Sequence, residues 1–280
     1  MIIKTLNIYR ILQIQTYHYG KFIIQLQLLQ IYLIIFNKMA LEKFELELVS
    51  FTDITDNVRH FVFKRTDDKL LNFIAGQFIK FMFDGDDGKV KRRSYSLGSL
   101  PSDNMLLEIA ITYVKDGIAS ETFFNMKVGD KANAMGPAGR LILKDEDIKK
   151  IVLVGTGTGI VPYRSMFPEL LERADNVEIH ILLGCQYRKD ALYQDDFIEF
   201  AKKHDNIHFR LCLSRETENL KDYEVSGYVQ NQFESIELNP ETDVVYVCGN
   251  PNMIDQSYEI LTNAGFGPKS VRREKYISSN

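Results

Sequence analysis

The sequence is poor in cysteine, has no tryptophan and contains no long run of lysine or arginine. Its three cysteines, Cys185, Cys212 and Cys248, form no C-x-x-C pair, so one chain builds neither a disulfide framework nor a four-cysteine zinc or iron–sulfur site. This cysteine content favours a reducing compartment, the cytoplasm. The formal net charge of −4 gives no general attraction to nucleic acid or to an anionic membrane. Any anion must therefore bind at a local site.

Acidic residues are absent from the first 38 residues, which contain ten isoleucines and four basic residues. The most apolar stretch, 22–36, is interrupted by three glutamines and is shorter than the roughly 18 to 20 apolar residues of a transmembrane helix. No small-residue cleavage site of a secretory signal follows it. We expect residues 1–38 to be a dispensable hydrophobic extension before Met39, with a membrane anchor as the alternative.

The remaining chain has two parts with different hydrophobic patterns. Short alternating segments separated by turns rich in Gly, Asp and Asn predict a six-stranded antiparallel β-barrel over residues 39–146. Compact apolar runs separated by helix-length segments predict a parallel, Rossmann-like α/β domain over 147–280. The expected strands are 44–51, 58–65, 77–84, 92–97, 105–114 and 131–135 in the first part, and 151–154, 177–183, 207–213 and 244–248 in the second.

Directly after the strand 151–154 comes a glycine-rich segment, made of Gly155, Thr156, Gly157, Thr158 and Gly159. Glycines let the backbone approach a phosphate, and the helix expected next offers free N–H groups and the positive end of its dipole. The spacing G-x-G-x-G is not G-x-G-x-x-G, and no acidic residue ends the next strand, so the usual NAD fingerprint is not met. A diphosphate site and a tight turn without a ligand both stay open.

The barrel part contains a second candidate, Arg93, Tyr95 and Ser96, at the end of one expected strand. An Arg can bind a diphosphate with its fork of donors, a Tyr can stack on a flat ring, and a Ser can hydrogen-bond a ring nitrogen. Taken alone, this pattern is more typical of an edge strand with a solvated Arg. Further along, Ser120 is the expected N-cap of the single helix in this part.

Several motifs in a fixed order resemble the ferredoxin–NADP⁺ reductase family, and the resemblance extends from Phe44 to Tyr276. The motifs are R-x-Y-S-L-G-S at 93–99, G-I-A-S at 117–120, G-P-A-G at 136–139, the glycine-rich segment with its Pro at 155–162, S-R-E at 214–216, Y-V-Q at 228–230, C-G-N-P-N-M at 248–253 and E-K-Y at 274–276. The resemblance implies an FAD-binding barrel followed by an NADP-binding domain.

The resemblance also implies a role for each candidate residue on the flavin side. Arg93 would hold the FAD diphosphate, with Gly117 and Ser120 at the helix start as the second contact. Tyr95 would pack on the isoalloxazine ring, and Ser96 would hydrogen-bond near the flavin N5. Tyr276 would complete the cofactor contacts.

On the nucleotide side, the glycine-rich segment from Gly155 to Gly159 would receive the NADP diphosphate and the approaching nicotinamide. Cys248, with Gly249 after it, would lie beside the nicotinamide, and Glu274 would help to relay a proton. Ser96, Cys248 and Glu274 are thus the expected catalytic residues.

Arg215 and Ser214, just past the strand 207–213, favour NADPH over NADH because a guanidinium fork and a hydroxyl suit a 2′-phosphate. Tyr228 could stack on the adenine. Some relatives carry a Lys two residues before that Tyr, and here the position is Ser226. The phosphate site is therefore expected to be weaker than in those enzymes.

His204 and His208 have the i, i+4 spacing of some metal sites, but no third ligand is close in sequence and a structural role is favoured, so no metal site is expected.

The predicted activity is a ferredoxin (or flavodoxin)–NADP⁺ reductase whose one-electron partner is a separate chain. Two alternatives stay open: the reductase component of a multicomponent oxygenase, and an electron-conducting flavin subunit without nucleotide turnover.

Overall fold

A computed structural model describes residues 41–85, 87–144 and 147–276 and contains two six-stranded sheets. The first sheet is antiparallel, with strand order β4-β3-β6-β1-β2-β5. Its strands are β1 (Glu42–Thr55), β2 (Val58–Arg65), β3 (Phe78–Asp84), β4 (Val90–Ser96), β5 (Leu106–Thr112) and β6 (Lys131–Ala138). Helix α1 (Ile118–Asn125) connects β5 to β6.

The barrel forms because alternate side chains of these strands are apolar and point to one face. In β2, for example, Phe61 and Phe63 are fully buried while their neighbours are partly exposed. Phe123 of α1 fills the interior, with its ring centroid 4.8 Å from that of Phe81. The edge strands β4 and β5 meet just after β4, where the Gly98 N–H donates to the carbonyl oxygen of Glu108 at 2.8 Å.

The second sheet is entirely parallel, with strand order β10-β9-β8-β7-β11-β12. Its strands are β7 (Lys150–Thr156), β8 (Glu178–Cys185), β9 (Ile207–Leu213), β10 (Glu224–Ser226), β11 (Asp243–Gly249) and β12 (Val271–Lys275). The helices are α2 (Val161–Ser165), α3 (Phe167–Arg173), α4 (Gln194–Ala201), α5 (Phe233–Ile236) and α6 (Pro251–Asn263). The central strand β7 is buried on both faces, as a parallel sheet covered by helices requires.

The predicted fold class, an antiparallel six-stranded barrel followed by a parallel α/β sheet, is confirmed. Two edge strands were not predicted. β10 has only three residues, and β12 alternates apolar and charged positions with no compact apolar run. Helix α2 ends at Ser165 and α3 begins at Phe167, with Pro168 in the first turn of α3, where a proline is tolerated.

Ser120 is not the N-cap that the sequence predicted. Helix α1 begins at Ile118 with Gly117 as its N-cap, and Ser120 lies in the first turn. The Ser120 hydroxyl donates to the carbonyl oxygens of Val114 at 2.7 Å and Gly117 at 3.1 Å instead of capping an N–H. Ser and Thr side chains often make such local bonds to preceding carbonyls.

Buried and half-buried polar contacts join the two sheets. Arg164 of α2 donates to Glu108 of β5 at 3.0 Å and to Asp196 of α4 at 2.8 Å. His60 Nδ1 lies 2.8 Å from the hydroxyl of Tyr193. Within the described ranges, every helix is too short or too polar to cross a bilayer.

Candidate active site

A cavity of about 520 Å³ lies where the end of β4 faces the end of β12. All six predicted flavin contacts line it: Arg93, Tyr95, Ser96, Gly117, Ser120 and Tyr276. Thr158 and Glu274, which were predicted for the nucleotide side, line it as well. Its size is in the range of small-molecule and cofactor sites. A larger groove of about 910 Å³ runs beside Tyr187 and Lys189, but none of the predicted site residues lines it.

Three side chains, Ser96, Glu274 and Tyr276, meet at this cavity, and the fully buried Cys248 lies beside Glu274 on the neighbouring strand. The Ser96 hydroxyl lies 2.6 Å from the Tyr276 hydroxyl and donates, over a long 3.5 Å, to Glu274 Oε1. The Tyr276 hydroxyl and the Cys248 thiol are close enough for each to shift the pKa of the other. Cys248 and Glu274 pair in register on the parallel strands β11 and β12, and the Tyr276 N–H donates to the Gly249 carbonyl at 2.9 Å. The two sheets thus contribute to one hydrogen-bonded cluster.

Burial sets the protonation of this cluster. Burial raises the pKa of Glu274 to about 7, although the hydrogen bond from Ser96 acts in the opposite direction. Burial and the adjacent Glu274 charge raise the pKa of Cys248 well above its ordinary value, so the thiol stays neutral. Burial likewise raises the pKa of Tyr276. Near neutral pH, Glu274 is therefore the group of this cluster that gains and loses a proton.

Tyr95 and Arg93 occupy alternate positions of β4, so both face the cavity. The Tyr95 ring packs edge-on against Phe123, with centroids 5.5 Å apart, and burial raises the pKa of its hydroxyl. One guanidinium nitrogen of Arg93 donates to the Arg92 carbonyl at 3.0 Å. Opposite them lies the start of α1, where the first intrahelical bond runs from the Glu121 N–H to the Gly117 carbonyl. The N–H groups before Glu121 precede that ladder and are available to an anion.

The glycine-rich segment lies against the end of β11. A Cβ at Gly159 would overlap the carbonyl oxygen of Cys248, and the Asn250 N–H donates to the Thr156 hydroxyl at 3.0 Å. Gly157, in contrast, is exposed, has φ of +53°, and a Cβ there would meet nothing within 4 Å. Gly159 is thus required for packing, whereas Gly157 leaves its backbone open to an approaching ligand.

Ser214, Arg215 and Tyr228 lie outside the cavity, at the carboxyl ends of the neighbouring strands β9 and β10. The Gly227 N–H donates to the Leu213 carbonyl at 2.8 Å, which places the two strand ends side by side. Ser214 donates to the Cys185 carbonyl at 3.3 Å, and Tyr228 is 62% exposed. The exposed guanidinium of Arg215 has no hydrogen bond or ion pair with any other part of the chain that the structure describes.

Sequence reasoning missed Arg164, which holds β5 and α4 to the start of the parallel-sheet domain. Glu108 lies 56 residues earlier, and no local pattern links the two. His204 and His208 do not share a site either. His204 lies 3.2 Å from Asp175, while the ring of His208 packs against His180 with centroids 4.8 Å apart.

Two family models match the chain: the oxidoreductase FAD-binding domain over residues 45–142 and the oxidoreductase NAD-binding domain over 153–258. These matches confirm FAD and a nicotinamide nucleotide as the cofactors. Ferredoxin–NADP reductase B of Sorangium cellulosum (strain So ce56) is 30% identical, over 84% of this chain and 98% of that protein. The toluate 1,2-dioxygenase electron transfer component of Pseudomonas putida is 27% identical, over 75% of this chain and 60% of that protein.

The fold is shared with solved structures. A crystal structure of an Amycolatopsis cytochrome P450 reductase superimposes with a TM-score of 0.77 at 24% identity, covering 86% of this chain and 72% of that one.

Proposed function

The chain belongs to the ferredoxin–NADP reductase family, and within this family of FAD-dependent NAD(P)H oxidoreductases we propose that it transfers electrons between NADPH and a separate ferredoxin or flavodoxin. In this proposal residues 39–146 bind FAD, residues 147–280 bind the nicotinamide nucleotide, and residues 1–38 are not required.

The observation that carries the proposal is the cluster of Ser96, Tyr276, Glu274 and Cys248. Ser96 ends a strand of the FAD-domain sheet, whereas Cys248 and Glu274 lie on strands of the nucleotide-domain sheet and Tyr276 directly follows β12. A flavin and a nicotinamide must be brought face to face for hydride transfer. Because this cluster contains residues of both domains and lies beside one cavity, it lies where the flavin and the nicotinamide would meet.

The cavity has the donors and surfaces that FAD requires. In the proposal Arg93 and the free N–H groups at the start of α1 bind the diphosphate, and the Tyr95 ring lies along the flat ring system. When bound, FAD would exchange a hydride with the nucleotide and single electrons with the carrier protein. Replacing Arg93 by Ala should weaken FAD binding about tenfold or more, since a charge-assisted contact contributes about 1.5 to 3 kcal/mol.

The chain's own part in the chemistry is to hold and move a proton. Ser96 has one hydroxyl hydrogen, so it donates to either Glu274 or Tyr276 at a given moment. When Glu274 is protonated it can donate to Ser96, and the Ser96 hydrogen then turns away from the carboxyl group. Because the Glu274 pKa is about 7, both states are populated at neutral pH. The neutral Cys248 thiol adds no charge beside the nicotinamide.

Arg215 and Ser214 support the choice of NADPH. Arg215 is exposed at a strand end, its guanidinium has no partner among the described residues, and Tyr228 is exposed on the adjacent strand end. A 2′-phosphate with nearly two negative charges could pair with this guanidinium while the adenine stacks on Tyr228.

The carrier protein is proposed to be another chain because three cysteines cannot bind a four-cysteine iron–sulfur cluster. The match over 98% of a ferredoxin–NADP reductase favours this role. An oxygenase reductase component is the second candidate, supported by the 27% identity to the dioxygenase component, of which the chain spans 60%.

The test is steady-state turnover of the purified holoenzyme with NADPH and with NADH, using ferredoxin, flavodoxin and an artificial acceptor in parallel. The proposal expects NADPH to be preferred and one of the two carriers to be reduced. NADH preference with no reduction of either carrier would favour the oxygenase component. If the purified protein contains flavin but oxidises neither nucleotide, the result would contradict the proposal and favour an electron-conducting flavin subunit without nucleotide turnover.

A further inference from the structure

Three metal-binding side chains meet at the amino-terminal edge of the parallel sheet, opposite the edge that carries the glycine-rich segment. Glu178 and His180 are two residues apart on β8 and so face the same side of the sheet. His208 pairs in register with His180 on the adjacent strand β9. The parallel pairing of β8 and β9 therefore places all three side chains on one face of the sheet. We call these three residues the HHE cluster.

The donor atoms of the HHE cluster are close to the separation that a metal ion imposes. All three lie within 4.8 Å of one another. Glu178 Oε1 is 2.6 Å from His180 Nε2 and 3.7 Å from His208 Nε2. Donors bound tetrahedrally to zinc at about 2.1 Å lie roughly 3.4 Å apart. A shift of under about 1 Å in the half-exposed Glu178 side chain would bring Glu178 Oε1 to that spacing from both imidazoles. A shift of at most about 1.4 Å in the exposed His208 side chain would bring the two imidazole nitrogens to it.

The chemistry of the donors suits zinc better than calcium or magnesium. Two imidazoles and one carboxylate are borderline ligands, whereas Ca²⁺ and Mg²⁺ prefer oxygen donors alone. On metal binding, the hydrogen that His180 now shares with Glu178 would move to Nδ1, so this imidazole keeps its single hydrogen.

The groups around the HHE cluster orient the carboxylate. Lys150 pairs in register with Glu178, and its Nζ lies 3.3 Å from Glu178 Oε2, which leaves Oε1 turned toward the histidines. Lys150 also donates to the Ile236 carbonyl. Arg210, two residues after His208, donates to Gln232 and Ser235. The Lys150 charge opposes a cation, so it lowers the affinity of the site while it holds the ligand in place.

The second nitrogen of His180 limits the affinity of the site. The His180 side chain is 8% exposed, and its Nδ1 has no hydrogen-bond partner among the described residues. The Nδ1 hydrogen that metal binding at Nε2 requires would therefore stay unpaired, which costs free energy and weakens metal binding.

From these observations we propose that Glu178, His180 and His208 form a zinc-binding site with solvent as the fourth ligand. The side chains of Glu178 and His208 are 40% and 43% exposed, so an ion has access from solvent. The site joins β8 to β9 at the sheet edge remote from the glycine-rich segment. Bound zinc would therefore stabilise the nucleotide domain without entering the redox chemistry.

The test uses the untagged holoenzyme, freed of metal with a chelator and then equilibrated with Zn²⁺. Zinc per flavin is measured by mass spectrometry, and the thermal midpoint is recorded with and without zinc. The wild type should bind one zinc per chain with a raised midpoint, and excess Mg²⁺ should not displace it. Glu178→Gln and His208→Asn should each bind zinc at least about tenfold more weakly. His204→Asn, which changes a histidine outside the cluster, is the matched control and should bind as the wild type does.

The spectrum of bound flavin shows whether each variant is folded. Glu178 and His208 are changed, and not His180, because a substitution at an exposed position is less disruptive to folding than one at a buried position. Absence of stoichiometric zinc in the wild type would overturn the proposal. Equal zinc binding by the wild type, Glu178→Gln and His208→Asn would place the ion elsewhere and overturn it as well. NADPH oxidation should be the same before and after the chelator, because the HHE cluster lies at the opposite sheet edge.

Discussion

Replacing Glu274 by Gln should change how the stability of the protein depends on pH. Folding raises the Glu274 pKa from 4.5 to about 7, because burial disfavours the charged carboxylate. The folded state therefore holds this proton more tightly than the unfolded state, and the Glu274 contribution to the free energy of unfolding falls as pH rises between about 4.5 and 7. A shift of this size corresponds to about 3 kcal/mol. The neutral Gln removes this dependence.

The assay is urea denaturation of the wild type and of Glu274→Gln between pH 4.5 and pH 8 at saturating FAD. The free energy of unfolding of the wild type, minus that of the variant, should decrease by about 3 kcal/mol across this range and level off above pH 7. Glu259→Gln makes the same chemical change at an exposed position of α6 and serves as the control. A difference that stays constant with pH would refute the assignment of Glu274 as a buried proton-holding group.

Arg215→Ala should lower kcat/KM for NADPH by about tenfold or more, mostly through KM, and leave NADH turnover unchanged; equal losses with both nucleotides would contradict the 2′-phosphate assignment. Gly159→Ala should lower the thermal midpoint by roughly 6 to 12 °C, since its Cβ would overlap the Cys248 carbonyl, whereas Gly267→Ala, where a Cβ meets nothing within 4 Å, should have little effect. A chain beginning at Met39 should keep its flavin content, thermal midpoint and turnover; loss of soluble folding would show that the extension packs on the rest of the protein.

Hydrophobic periodicity was enough to predict both sheets, because barrel strands have one buried face and central parallel strands have two. Hydrophobic periodicity did not predict the two edge strands of the parallel sheet, where few side chains are buried. β12 has alternating apolar and charged residues and pairs on one side only, with β11, so its sequence lacks the apolar run of a central strand. The predicted N-cap at Ser120 failed because its hydroxyl has two carbonyl acceptors within reach.

The residues of the candidate site were predicted from the resemblance to a family, because no local pattern links strand ends that lie far apart in the sequence. The structure brings Ser96, Glu274 and Tyr276 together, whereas Arg215 lies apart at the end of β9. The partnership of His180 with His208 depends on the register between β8 and β9, and the 27 positions between these histidines contain no sign of that register. Spacing in sequence reveals neighbours on one helix or strand, but not neighbours across a sheet.

The contact between Ser96 and Tyr276 spans 180 residues, and this separation affects how the enzyme is made. During synthesis the barrel strands leave the ribosome first and can fold as a unit, whereas β12 follows every other strand. The hydroxyl pair therefore forms only after the entire parallel sheet has been translated. A nascent chain with a folded barrel has Arg93, Tyr95 and Ser96 in place but lacks Glu274 and Tyr276. In the proposed function, redox competence would therefore be acquired in a final step of maturation rather than gradually.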